Sequence, residues 1–346
     1  MWYCRAGAWL CNKVGRKSLG LEMKKLMFFS VLLAVLVLGC ENRQGTADPG
    51  WDAGHVPDGD GGSEQGSDGH DGIADQGPGA RWRVGSDQTL DVVTWNIRNF
   101  PTNDHTPSYV AELIEGLDVD LIAVQEITDV YEFGKILSAL DGYTAVLSDD
   151  EYGSGEYQKT GLIYKSGMIH ISGTKSLFED DWWSFPRPPL QAELTITRPD
   201  GSLWTMIVIV VHLKASVGEE NESRRRSACD KIKQYVDGLV SGEIESEVLV
   251  LGDFNDQLTD PPSNNVFTPF LDEPDHYEFL TEALTGGQYS YIPARVLIDH
   301  MMITGALFDD FQQAQVEPVP MEGLVDDFDY LDNVSDHRPV AAVVPW

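Results

Sequence analysis

The stretch Val334-Ser335-Asp336-His337-Arg338-Pro339-Val340 lies close to the C-terminus and organises the interpretation of the whole chain. An acid and a histidine stand directly before the apolar run 340–344, which is typical of a buried strand. Pro339 fits the start of a strand, where a missing amide donor is tolerated. A carboxylate can hold a hard cation, and an imidazole can exchange a proton. Taken alone, a solvated turn is the simpler interpretation.

Other apolar runs of the chain end in the same kind of polar cluster. Each residue has an ordinary explanation by itself: a closed turn, a helix cap, a satisfied core histidine or a strand-edge charge. Burying all of them separately without partners would be costly, so their joint occurrence favours one shared site. The runs are VVTWN, LIAVQE, IVIVVH, VLVLGDFN, RVLID and VSDH, and their polar ends are Asn96, Glu126, His212, Asp253 with Asn255, Asp299, and Asp336 with His337.

Oxygen donors in this set indicate a site for a hard divalent cation. Glu126 and Asp336, together with Asn96, can supply oxygen ligands and leave positions for water and phosphate. No cluster of cysteines and histidines accompanies them, which favours Mg²⁺ or Mn²⁺ over structural zinc.

The remaining polar residues suit hydrolysis of a phosphodiester. Asp253 can take a proton from water, while Asn255 and His212 can donate to phosphate oxygens. His337, oriented by a carboxylate such as Asp299, can stabilise developing negative charge as an imidazolium.

Hydrophobic patterning predicts about ten strands and three substantial helices, which fits two sheets packed face to face with helices outside. A hairpin is predicted across Ser166-Gly167, joining strands 159–165 and 168–172. A second antiparallel pair, 191–197 and 203–213, is predicted around Pro199-Asp200-Gly201.

The ordered motifs WNI, QE, HLK, GDFN, LID and SDHRP resemble the endonuclease/exonuclease/phosphatase superfamily, whose best-known member is pancreatic deoxyribonuclease. The resemblance covers residues 90–344. It implies an α/β fold, a four-layer α/β/β/α sandwich of two packed mixed β-sheets. It also implies a metal site at Asn96, Glu126 and Asp336, a water-activating Asp253 with its phosphate-binding companion Asn255, the carboxylate–histidine pair Asp299 and His337, and the second histidine His212.

Three features near these motifs leave alternatives open. Arg187, in a Pro-rich segment, resembles a phosphate-contacting arginine or is a surface charge. Thr128 stands near the position of a DNA-contacting arginine in pancreatic deoxyribonuclease, which weakens the case for DNA. The run Arg224–Arg226 is either a solvated helix face or a phosphate-binding rim.

The composition of the first 80 residues predicts a segment for export and membrane anchoring rather than part of the folded domain. Residues 23–40 resemble a bacterial lipoprotein signal with lipidated Cys40, the alternative being an ordinary secretory signal. Residues 1–22 are interpreted as an extension from a mis-assigned start codon. The Gly- and Asp-rich segment 41–80 cannot bury enough apolar surface to fold and is predicted to be a flexible linker. Residues 81–346 form the predicted catalytic domain.

Residues 81–346 contain 17 Lys and Arg against 46 Asp and Glu, a formal charge of −29. Such a domain lacks the basic footprint of sequence-independent nucleic-acid binding, although bound metal can offset this at the site itself.

The sequence therefore predicts a metal-dependent phosphodiester hydrolase, a membrane-anchored lipoprotein outside the bacterial cytoplasm, with nucleic acid as its substrate and no obligate protein partner. One alternative substrate is a phospholipid headgroup or sugar phosphate, for which Trp182-Trp183 could form a membrane-facing wedge. A second alternative is a non-catalytic surface binding module.

Overall fold

The computed structural model describes residues 82–151, 155–242, 244–325 and 328–346. The predicted start extension 1–22, the signal segment with Cys40 and the linker 41–80 lie outside the described residues. Among the described residues, no helix combines the length and the apolar character that a membrane span requires.

Twelve strands in the described residues form two six-stranded sheets. They are β1 Thr89–Phe100, β2 Leu121–Ile127, β3 Tyr143–Leu147, β4 Lys159–Lys165, β5 Ile169–Ser176, β6 Leu190–Thr197, β7 Leu203–His212, β8 Val248–Asp253, β9 Tyr277–Phe279, β10 Asp299–Thr304, β11 Gln315–Pro318 and β12 Val340–Pro345. The first sheet has the order β11-β12-β1-β2-β4-β3, and the second has the order β5-β6-β7-β8-β10-β9. The β1–β2 and β7–β8 pairs are parallel and their neighbours antiparallel, so both sheets are mixed.

Three long helices follow strands of the two sheets, and shorter helices lie in the connections. The long helices are α1 Thr106–Leu117, α2 Val130–Ala139 and α3 Glu219–Ser241. The short ones are α4 Thr268–Leu271, α5 Phe308–Phe311, α6 Met321–Leu324 and α7 Tyr330–Asn333, with 3₁₀ turns at Leu280–Leu284 and Gly305–Leu307.

The alternation of side chains along each strand produces three apolar layers. In β1, Val92 belongs to the core between the sheets, whereas Val93 packs on the opposite face with Leu113 of α1. On the second sheet, Val250 of β8 packs with Ile232 of α3. The predicted four-layer α/β/β/α sandwich is confirmed.

The predicted hairpin across Ser166-Gly167 is wrong. β4 pairs with β2 and β3 in the first sheet, whereas β5 pairs with β6 at the edge of the second. A turn signal indicates where the chain reverses but not which sheet the next strand joins. The burial of β4 fits a central strand, and the alternating exposure of β5 fits an edge strand. The predicted pair around Pro199-Asp200-Gly201 is confirmed as β6–β7.

Strand direction brings the predicted site residues to one edge of the sandwich. The carboxyl ends of parallel β1 and β2, and of parallel β7 and β8, meet at this edge. Antiparallel β10 and β12 begin at the same edge, where Asp299 pairs in register with Asp253 and Val340 pairs with Thr94.

Candidate active site

Irregularities in the strand pairing of the first sheet set the direction of its site side chains. The β1–β2 register shifts after Asn96, and Arg98 and Asn99 adopt positive φ angles of 42° and 44°. Glu126 lies in a second irregularity, between β2 and β4, with a φ of 68°. Such conformations persist only where surrounding contacts hold them, and bulges next to active sites commonly redirect side chains.

Gly252, in the GDFN motif, is required by a close approach of two backbones. Its φ is 145°, and a Cβ at this position would lie 2.0 Å from the carbonyl oxygen of Val211. Only glycine allows β8 to approach β7 this closely, and the approach places Asp253 beside His212 in the parallel register.

Asp299 and His337 form a buried carboxylate–histidine pair, with 2.8 Å between Oδ2 of Asp299 and Nδ1 of His337. Burial disfavours the charged imidazole, but the charge and hydrogen bond of Asp299 outweigh it and raise the pKa of His337 to about 10. His337 is therefore an imidazolium at neutral pH that donates Nδ1–H to Asp299. Its Nε2 is left for the cleft that it helps to line.

Asp253 lies at the junction of the two sheets. Its Oδ2 accepts a hydrogen bond from Nδ2 of Asn96 at 3.0 Å, and its Oδ1 accepts one from the Asn255 amide at 2.8 Å. Burial, together with the negative charge of Asp299, raises the pKa of Asp253 to about 7. A carboxylate with this pKa can accept a proton near neutral pH, as a general base must.

His212 is fully buried beside two carboxylates, with Nε2 3.6 Å from Oε1 of Glu126 and from Oδ2 of Asp253. Burial and the charge of Arg187 lower its pKa well below the usual value, so the ring is neutral. The guanidinium of Arg187 contacts both ring nitrogens, with Nε 3.2 Å from Nδ1 and Nη2 2.5 Å from Nε2.

Arg187 lies behind His212 rather than among the residues that line the cleft. Its guanidinium also donates to the carbonyl of Leu213 at 3.1 Å, and the residue is buried. This position makes it a partner of His212. A direct contact with substrate phosphate, as the sequence suggests for Arg187, stays a prediction.

Asn96, Glu126 and Asp336, the predicted metal ligands, lie around one corner of the site. Nδ2 of Asn96 donates to Glu126 at 3.2 Å, and Oδ1 of Asn96 accepts from the Arg98 amide at 2.9 Å. Asn96 thus orients two carboxylates. Asp336 lies 3.9 Å from Nε of Arg98, and both Asp336 and Glu126 line the cleft.

The donor set fits a divalent cation. Glu126, Asp253 and Asp336 line the cleft, and Asp299 is bonded to His337, which lines it too. The two arginines among the described lining residues, Arg98 and Arg225, each already lie against an acid. Carboxylate oxygens of Asp253 and Asp299 lie within 4.8 Å of each other and of the His337 ring, and Oδ1 of Asp299 is a buried oxygen without a hydrogen-bond partner among the described residues. Excess buried negative charge of this kind is stabilised by a bound metal ion.

Glu126, Asp253, Asn255, Asp336 and His337 line a cleft of about 640 Å³. Its walls include the segment from Ala215 to Gly218 after β7 and the segment from Asn255 to Gln257 after β8. Tyr291 closes one side, with its ring centroid 5.0 Å from that of His337. The size suits one phosphoester group with part of its substituents.

Several supporting residues could not be recognised in the sequence. Ser335 donates to the carbonyl of Asn96 and accepts from the His337 amide, so it joins β1 to the SDHRP loop. The Tyr330 hydroxyl bridges the Trp95 indole and the carbonyl of His337. Ser335 could have been identified, because it lies inside the SDHRP motif. No sequence motif marks Tyr330 or Tyr291 as a residue of the site.

The model of the Endonuclease/Exonuclease/phosphatase family matches residues 93–337. The chain belongs to this family. A comparison with curated protein sequences finds no match.

Solved structures of the same fold match most of the described domain at low sequence identity. Humanized D. rerio TDP2 is 13% identical to this chain with a TM-score of 0.53, and the alignment covers 75% of this chain and 100% of the TDP2 chain. Bacteroides thetaiotaomicron mannosyl-6-phosphatase is 15% identical with a TM-score of 0.53, covering 74% and 100%. The human Nocturnin catalytic domain is 16% identical with a TM-score of 0.51, covering 74% and 94%. These likenesses show the fold alone; the family match supports a phosphoesterase, and Asp253, Asp299 and His337 form a candidate acidic metal site.

Proposed function

We propose that this protein is a divalent-metal-dependent phosphodiester hydrolase. The observation that carries the proposal is the convergence of Glu126, Asp253 and Asp336 on one cleft that the Asp299-bonded His337 also lines. Asp336, Glu126 and Asn96 would hold Mg²⁺ or Mn²⁺. When bound, such an ion neutralises phosphate charge and polarises the phosphorus–oxygen bonds.

The side chains then divide the remaining work. Asp253 takes a proton from the attacking water, because its raised pKa makes it a stronger base than an ordinary aspartate. His212 and Asn255 donate to phosphate oxygens. His337, held by Asp299 at 2.8 Å, stabilises the charge that develops on the phosphoryl group.

Nucleic acid is the first candidate substrate, cut as an endonuclease would cut it. Support comes from the family to which the chain belongs and from one of its fold neighbours, D. rerio TDP2, whose structure holds a single-stranded DNA product.

A small phosphoester, either a phospholipid headgroup or a sugar phosphate, is the second candidate, and the charges of the cleft favour it. Of the two arginines that line the cleft, Arg98 lies against Asp336 and Arg225 is bonded to Asp256. Glu222 and Asp260 add negative charge to the walls. A long polyanion gains little from such walls, since phosphate contacts dominate nucleic-acid affinity.

Action outside the cytoplasm is part of the proposal and rests on the sequence. The signal-like segment 23–40 would place a lipid on Cys40, and the linker 41–80 would let the domain act at a distance from the membrane.

The deciding experiment incubates the purified protein and Asp253→Asn with supercoiled plasmid, single-stranded RNA and bis(p-nitrophenyl) phosphate in Mg²⁺ or Mn²⁺. Nicking or RNA cleavage that EDTA and the substitution abolish establishes a nuclease. Ester hydrolysis without either establishes the chemistry and selects the small-substrate candidate. No turnover on any probe, with Mn²⁺ binding shown by calorimetry, contradicts the proposal and favours a binding module.

A further inference from the structure

Three consecutive arginines of α3 each hold a different loop beside the cleft. Arg224 donates to the carbonyls of Trp182 and Trp183, in the segment before β6. Arg225 donates to the carbonyls of Lys214 and Ser216, in the segment after β7. Arg226 donates at 2.8 Å to the carbonyl of Asn265, in the segment after β8.

Helical geometry explains how neighbours in sequence reach three separate loops. Successive side chains of an α-helix diverge by about 100° around its axis, so three in a row point in three directions. Each guanidinium donates to backbone carbonyls, so the run connects α3 to three loops.

Arg225 is the member of the run closest to the chemistry. It is buried, with 5% of its surface exposed, and its Nε donates to Oδ2 of Asp256 at 2.7 Å. Asp256 directly follows Asn255, and Ser216 lies four residues after His212. One guanidinium therefore joins the loops that leave the neighbouring parallel strands β7 and β8.

Each of the two joined loops contains a non-glycine residue with a positive φ angle. Ser216 has a φ of 80° and Asn255 a φ of 55°, in the left-handed region that such residues enter only when held. The carbonyl of Leu213, between the loops, accepts from Nδ2 of Asn255 at 3.3 Å. The opposite side of the β8 loop is fixed by His300, whose Nε2 lies 3.0 Å from the Asp256 carbonyl oxygen.

We propose that Arg225 is a positioning residue that sets the spacing between His212 and Asn255, and so shapes the phosphate subsite. This inference rests on the proposed function only in its assignment of those two residues to phosphate. Arginine suits the task because its planar fork holds its donors to one carboxylate and two carbonyls in a fixed, spread geometry, whereas the donors of lysine all lie on one small, flexible ammonium.

The test compares Arg225→Lys and Arg225→Ala with the matched variant Arg226→Lys in the full protein. kcat and KM are measured on whichever probe the wild type cleaves, together with the melting temperature and calorimetric binding of inorganic phosphate in Mn²⁺. For Arg225→Lys we expect a roughly 10-fold loss of kcat/KM and weaker phosphate binding, and for Arg225→Ala a loss of about 100-fold. Millimolar guanidinium should partly restore Arg225→Ala, and Arg226→Lys should match the wild type.

A folded Arg225→Lys with wild-type kcat/KM and phosphate affinity overturns the inference. An equal loss in Arg226→Lys also overturns it, because the effect would then be general to the helix. If Arg225→Ala does not fold, the lysine variant decides. A wild type without turnover counts against the proposed function, while phosphate affinities still test the positioning role.

Discussion

The parallel pair β1–β2 has acidic side chains near both of its ends, and the acids at the two ends have different surroundings. At their start, Asp91 and Asp120 are buried, and Nζ of Lys165, from neighbouring β4, lies 3.1 Å from Asp120 and 2.8 Å from Asp118. Burial opposes the charge on Lys165, but its bonds to these acids raise its pKa to about 12, so the lysine stays charged. At the far end, Glu126 and its partners share a cleft in which carboxylates outnumber cations.

The backbone differs between the two ends as well. From Val92 to Asn96, β1 pairs with β2 in an unbroken parallel register. Beyond Asn96 the register shifts, and Arg98, Asn99 and Glu126 adopt positive φ angles. At the start of the strands, the acids are therefore paired with a lysine of the fold. At their carboxyl end, the acids face an open cleft and the backbone is strained.

This contrast teaches that buried acidity alone does not identify a site. At the start of the strands a lysine of the fold neutralises the acids, whereas the acids that the fold leaves in excess at the other end can bind a cation from solution. The following four predictions test the contrast, from the largest expected effect to the smallest.

Asp253→Asn should lower turnover by about 1,000-fold, because an amide cannot accept the proton of the attacking water. Asp91→Asn, at the start of the strands, should leave turnover unchanged. Initial rates at saturating Mn²⁺ measure both variants. Equal losses in the two would mean that stability, and not chemistry, explains the effect.

Glu126→Gln should weaken Mn²⁺ binding by roughly 10- to 100-fold, since it removes a negative charge from the predicted ligand set. Asp120→Asn is the matched change at the start of the strands and should leave Mn²⁺ affinity as it is. Isothermal titration calorimetry of both variants gives the comparison. Undiminished affinity in Glu126→Gln would place the ion elsewhere.

Lys165→Met should destabilise the domain by about 2 kcal/mol, less than the loss for a fully buried pair, because the lysine side chain is 27% exposed. The substitution leaves Asp120 buried without its partner. Urea denaturation measures the change, and Asp120→Asn in the same chain should recover part of it. Lys135→Met, which removes an exposed pair with Glu132, should have no measurable effect.

Asp91→Asn should raise the free energy of unfolding by about 1 kcal/mol above pH 6. Burial raises the pKa of Asp91 from 3.8 to about 6, so the folded state binds this proton more tightly than the unfolded state does. The contribution of Asp91 to stability is therefore full below pH 4 and is lost as the pH rises through 6. The gain stays small because the new amide would replace Oδ1, a buried atom without a partner among the described residues.

Urea midpoints at pH 5 and pH 8 test this dependence. The advantage of Asp91→Asn should be larger at pH 8. An advantage that does not change with pH would mean that Asp91 does not titrate in this range.

Much of the architecture could be predicted because its signals are local. The apolar runs that become β1, β2, β7 and β8 are contiguous, and the polar residues that end them mark the edge where they meet. The partnership of β5 could not be predicted, since two strands that follow each other in sequence can join different sheets. The roles of Arg187 and Arg225 could not be predicted either, because their hydrogen-bond partners are distant in sequence.

The sequence alone determined the α/β sandwich, the order of the motifs and the residue types of the site, because each depends on contiguous residues. Only the tertiary structure decided which acids are structural and which are free to act. Asp91 and Glu126 are both acidic residues at ends of apolar strands, and nothing local separates them. The two residues differ in what folding places beside them. Lys165 of β4, which neutralises Asp120, lies near Asp91, whereas Glu126 faces an open cleft.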